Sequence, residues 1–123
     1  MATTQEIISA AEALGKLIAR HDATVKFEAA VKKLRDDAEA QRALNDFNRH
    51  MAALSEKESK GEPIEVEDKR KLERLQEAVI GNEVLRTFQM VQMDYLDLMR
   101  KVDEAISRAS LSQDVGAVVD SGG

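Results

Sequence analysis

Residues 81–110, GNEVLRTFQMVQMDYLDLMRKVDEAISRAS, decide how the rest of this chain reads. Val84, Phe88, Val91, Tyr95, Leu98, Val102 and Ala105 follow one another there at alternating steps of four and three, the spacing that lines side chains along one stripe of an α-helix. Asn82 suits the N-cap, because its side-chain oxygen accepts from a free backbone N–H of the first turn, and Glu83 then faces the positive end of the helix dipole. Such a helix is roughly 40 Å long. A single small subunit does not easily cover that length.

The middle of this helix is apolar on more than one side. Met90, Met93 and Leu96 fall well off the seam and share the outer face with Asp94, Asp97, Arg100 and Glu104. Two readings fit: other helices of the same chain cover them, methionine being a common filler of irregular gaps, or they belong to a subunit interface. Four shorter helices offer only one apolar stripe each, which favours the interface. The expectation is a homo-oligomer, most simply a two-fold dimer through the long helices, with Met90, Met93 and Leu96 in the contact.

Composition sets the class. The chain has 123 residues, one domain's worth. It has one proline, no cysteine or tryptophan, three phenylalanines and one tyrosine, too few β-formers to support a sheet. Alanine, leucine, glutamate, lysine and arginine predict an all-α protein. Net charge is −5 with both signs mixed along the chain, so nucleic acid is not the expected partner. With no cysteine there is no disulfide, thiolate metal site or thiol nucleophile. No apolar run approaches a membrane span, and no basic-then-apolar leader opens the sequence. The expected location is the cytoplasm.

In chain order, Thr3-Thr4-Gln5-Glu6 reads as a capping box. The helix it opens runs to about Arg20, with a stripe of Ile7, Ala11, Leu14 and Ile18 widened by Ile8 and Leu17. Asp22 opens a second helix with Phe27, Ala30, Val31 and Leu34 on one face, and Asp36 and Asp37 break it or cap the next. A third, about Ala38 to Lys60, carries Ala40, Ala43, Leu44, Phe47, Met51 and Leu54. Gly61 suits its left-handed C-cap and Pro63 prevents continuation. A fourth, about Val66 to Ile80, offers Leu72, Leu75 and Val79 inward. The third helix and the long fifth are expected to pack antiparallel, giving a five-helix bundle with a long hairpin. Residues 1–110 are expected to form one domain and 111–123, LSQDVGAVVDSGG, a flexible tail.

Little in the chain suggests chemistry. Asp46 and His50 stand four apart, but no Glu-x-x-His or His-x-x-x-His completes a metal site, so an ordinary surface pair is expected. Asp94 and Asp97 share a charged outer face, where acid–base tuning is not expected. Lys69, Arg70, Lys71 and Arg74 are interleaved with Glu65, Glu67, Asp68, Glu73 and Glu77, which cancels their field. No phosphate loop or serine-nucleophile motif occurs. No enzyme activity, cofactor or metal is expected.

The run from Ala13 to Ile106 resembles the YlbF/YmcA family of small bacterial all-helical proteins. The likeness rests on an order of elements: a helix with Phe27, Ala30 and Leu34, an acidic break, a helix with Leu44 and Phe47, the Gly61-Glu62-Pro63 turn, a short leucine-bearing helix, and the long helix opened by Asn82. The resemblance implies a non-enzymatic regulator. Some members form complexes acting on competence, sporulation and biofilm formation and adapt an endoribonuclease to its messenger RNAs. Those members carry cysteines linked to iron–sulfur clusters, which this chain lacks. The expected function is therefore a regulatory or adaptor protein working through an unidentified protein partner, with a small-ligand-binding helical bundle as the alternative.

Overall fold

The computed structural model describes residues 1–111 and 114–115. The tail expected over 111–123 lies, apart from Leu111, Asp114 and Val115, outside the described residues. Five helices follow in order: α1 Thr4–Arg20, α2 Asp22–Asp36, α3 Ala38–Ser59, α4 Val66–Gly81 and α5 Glu83–Ser110. Among the described residues there is no strand.

Local chemistry sets each boundary. The Glu6 N–H donates to Thr3 Oγ1 at 3.1 Å and the Thr3 N–H to Glu6 Oε1 at 3.4 Å, closing the expected capping box. His21 forms the whole link between α1 and α2, and its Nδ1 accepts from the Ala23 N–H at 3.0 Å. Of the two aspartates in the acidic break, Asp37 is the cap, accepting from the Ala40 N–H at 2.9 Å. At the end of α3, Gly61 has φ +72°. The Glu62 N–H reaches the Lys57 carbonyl at 2.9 Å and the Gly61 N–H the Glu58 carbonyl at 3.1 Å, the paired bonds of a Schellman motif. Asn82 Oδ1 caps α5 through the Leu85 N–H at 3.0 Å.

The pairing of helices differs from expectation. The main partner of α5 is α2, and that of α3 is α4, whereas α3 and α5 are not substantial neighbours. His21 and Asp22 border a cleft with Leu98 and Lys101, while Phe27 lies against Phe88 and Tyr95, so α2 runs antiparallel to α5. Lys57 meets Asp68, and Glu39 lies near Gly81, so α3 and α4 are antiparallel too. The physical reason is connectivity: the short 60–65 turn folds α4 back onto α3 and uses up the stripe assigned to α5. Contacts of α2 with α3 and of α4 with α5 close a four-helix ring, and α1 has substantial contact with α2 alone.

The core of this ring is thin. Ala30, Ala40, Leu54 and Leu85 are its buried apolar residues, joined by Thr24 and His50. Phe88 and Tyr95 are half-buried, and Met51, expected inward, is exposed while its neighbour His50 points in.

Candidate interaction surface on the long helix

The two sides of α5 do different work. Along the seam, Phe27 of α2 inserts between two aromatic residues two turns apart. Its ring centroid is 4.8 Å from that of Tyr95, with planes 15° apart, and 5.8 Å from that of Phe88, tilted 44°. Centroid separations of 4.5 to 7 Å are those in which aromatic pairs attract beyond simple burial. This cluster fixes the rotation of α5 about its axis. At about 100° per residue, the seam centred on Phe88, Val91, Tyr95 and Leu98 then points away from Met93 by about half a turn.

Met90, Met93 and Leu96 are therefore left facing out, 64%, 65% and 57% exposed. Successive steps of three residues advance roughly 4.5 Å and swing back about 60°, so the three side chains form an oblique band across the outer face. No helix of the described subunit covers them. Of the two readings open in the sequence, cover by another helix of the same chain is not seen among the described residues.

A lattice of charges borders the band on its C-terminal side. Arg100 bridges Asp97 at 2.7 Å and Glu104 at 2.8 Å, and Lys101 reaches Asp97 at 3.1 Å. The Arg100 guanidinium, aided by Lys101, holds the Asp97 carboxyl below the usual carboxylate range. Asp97 and Glu104 in turn raise Arg100. Asp97 is thus committed to ion pairs with Arg100 and Lys101, an environment that lowers its carboxyl rather than raising it toward acid–base use.

Elsewhere the polar groups are structural. Asp46 pairs with Arg49 at 3.7 Å. His50, expected at the surface beside it, is 7% exposed and its Nε2 lies 2.9 Å from the Asp68 carbonyl oxygen. A carbonyl only accepts, so Nε2 carries the proton. Asp68 also binds Lys57 Nζ at 2.7 Å and accepts from the Glu65 N–H at 3.0 Å. No local signal in the sequence marks this knot, because its members come from separate helices. Among the described residues no group of three or more His, Cys, Asp or Glu side chains is placed to hold a metal.

The knot makes a pH prediction. Lys57, with the Glu65 N–H, lowers the Asp68 carboxyl below its usual value, and Asp68 raises Lys57. A depressed acid stabilises the fold above its unfolded pKa of about 3.9 and loses that contribution as pH falls through the lower folded value. A raised lysine contributes below about 10.4 and is lost as pH rises through its folded value. Chemical denaturation between about pH 5 and about pH 2 should show a steeper loss for the native chain than for Lys57→Met. Parallel profiles refute the linkage.

Two clefts border the helices. One of about 280 Å³ is lined by His21, Asp22, Lys26, Asp94, Asp97 and Lys101 among others. The other, about 440 Å³, lies where α3 begins and α4 ends, beside Glu39, Arg42, Asp46 and Glu77. Their walls mix charged side chains with apolar ones, Val91 and Leu98 in the first and Ala43, Leu75 and Ala78 in the second, and both are open to solvent rather than enclosed. No helix of the described residues is long and apolar enough to cross a membrane.

Comparison with known proteins bears on the fold and the family. The fold is similar to that of Bacillus subtilis RicA, solved by X-ray crystallography in complex with RicF, with a TM-score of 0.74 and 19% identity over 87% of this chain and 95% of that one. At that identity the likeness speaks for the fold. Among curated proteins no sequence matches the chain. A family model described as "Control of competence regulator ComK, YlbF/YmcA" matches residues 7–109. With the model spanning nearly all of the helical body, the chain belongs to the YlbF/YmcA family of regulators.

Proposed function

We propose that this protein is a non-enzymatic regulatory adaptor of the cytoplasm, acting through protein–protein contacts and assembling with copies of itself through Met90, Met93 and Leu96. The observation that carries the reading is the exposure of those three side chains on a helix whose opposite side is packed against α2. Soluble monomers seldom leave a rimmed apolar band of this kind open. The RicA fold, seen with RicF bound, supports protein recognition as the use of the scaffold. Family membership links the output to control of a developmental decision such as competence, and the family resemblance extends it to RNA processing.

A two-fold contact suits the band because one surface serves both copies. Three such side chains contribute roughly 1.5 to 3 kcal/mol each before association costs. Met93→Glu with Leu96→Glu places carboxylates against one another across the axis. Multi-angle light scattering should show the native chain assembled and the double variant reduced by one association step, with helicity by circular dichroism unchanged. A double variant of unaltered mass would sink this surface.

A further inference from the structure

Helix α1 holds a second surplus of apolar surface. All of Thr4–Ala13 is exposed, and Leu14 and Ile18 alone in the helix reach half-burial. Ile7 is 61% and Leu17 59% exposed. At about 100° per residue the charged Glu6, Glu12, Lys16 and Arg20 share one half of the helix, leaving the other half without a charge. A helix of 17 residues without a packed face is marginal in water. The sequence nevertheless gives it a full capping box and a continuous apolar half, which the described residues cover only at Leu14 and Ile18.

We propose that α1 pairs antiparallel with α1 of a second copy of this chain. Two observations select that occupant. The stripe is self-complementary: reversed on itself, it sets Ile7 against Ile18 and Ala11 against Leu14 of the second copy. The charges are self-complementary in the same direction, with Glu6 and Glu12 in the first half, Lys16 and Arg20 in the second, and none of the four in an ion pair within the described chain.

Gly15 fits this pairing. A glycine inside a helix costs about 1 kcal/mol relative to alanine, yet a Cβ built on Gly15 would meet nothing within 4 Å. The subunit has no steric need of it. With Ala11 and Ala19 one turn to either side, it flattens the edge of the stripe where a second helix backbone approaches. The four charges of α1 sum to zero, which disfavours an anionic lipid surface as the occupant.

Because the two surfaces lie on different helices, α1 and α5, which share no substantial contact, they are separate, and together they build an assembly of four. The test uses full-length chains. By light scattering the native protein should have about four times the mass of the subunit. Ala11→Glu with Ile7→Glu should halve that mass, as should Met93→Glu with Leu96→Glu, and the combined variant should be a monomer. If the long-helix surface alone fails, the native chain is a dimer that the α1 variant splits and the α5 variant does not. A mass insensitive to the α1 variant overturns the pairing. The cysteine-free sequence gives an independent readout that does not depend on helix loss: with a short bis-maleimide, Ala11→Cys should cross-link to a covalent dimer and Ser9→Cys, on the charged half, should not. Equal cross-linking at both positions also overturns it.

Discussion

Replacing Phe27 with alanine is expected to lower the unfolding free energy by about 3 kcal/mol, near the low end of the range for phenylalanine truncation because the ring is only half-buried. The loss has two parts. One is the transfer of the ring from water together with the void left behind. The other is the pair of aromatic contacts, at 4.8 Å to Tyr95 and 5.8 Å to Phe88, worth about 0.5 to 1.5 kcal/mol each. Phe27 is the side chain through which α2 engages two turns of the α5 seam, so its removal loosens the principal helix pair rather than one contact. Phe88→Ala breaks one of the two ring contacts and should cost less. Urea denaturation at one fixed protein concentration reads both, since any self-association makes apparent stability concentration-dependent. A loss below about 1 kcal/mol for Phe27→Ala would mean that the aromatic cluster does not hold α2 to α5.

The second large effect belongs to Leu85. It is 6% exposed, the one buried residue of α5, and it sits in the first turn where the Asn82 cap brings α4 into contact with α5. Leucine-to-alanine changes at such sites cost about 2 to 5 kcal/mol, according to how far the surroundings collapse into the cavity. About 3 kcal/mol is expected here, because the bundle buries so few large side chains that neighbours have room to relax. Lys71→Ala, on the exposed side of α4, is the control and should stay within about 0.5 kcal/mol. Comparable losses for Leu85→Ala and Lys71→Ala would show that the faces of α4 and α5 are misassigned.

These effects bear on function through the same geometry. The aromatic cluster sets the rotation of α5, and that rotation aims Met90, Met93 and Leu96 outward. A chain lacking Phe27 should therefore weaken the proposed self-association without a change at any surface residue. The charged lattice of Asp97, Arg100, Lys101 and Glu104 contributes little stability, as exposed ion pairs do. Its place at the edge of the band suits the setting of register and partner choice.

The amino-acid sequence by itself determined the five helices and nearly all of their ends. Capping is a matter of a few adjacent residues: Thr3 with Glu6, Asp37 with Ala40, Gly61 with its positive φ, and Asn82 with Leu85 each make bonds within three residues or one turn. Two N-caps carry no such signal: His21, whose imidazole stands in for the usual short polar side chain, and Glu65, whose N–H donates to Asp68 Oδ2. The off-seam position of Met90, Met93 and Leu96 was legible for the same reason, being a property of helical period alone. Only the tertiary structure decided which stripe meets which. The apolar stripes of α2, α3 and α4 are interchangeable in composition, and the choice among them rests on turn length and on the fit of one ring, Phe27, to residues more than sixty positions away. For that reason α2 takes the place expected for α3 beside α5, His50 turns inward to the Asp68 carbonyl, and the stripe of α1, which reads like any core stripe, is left almost wholly in water.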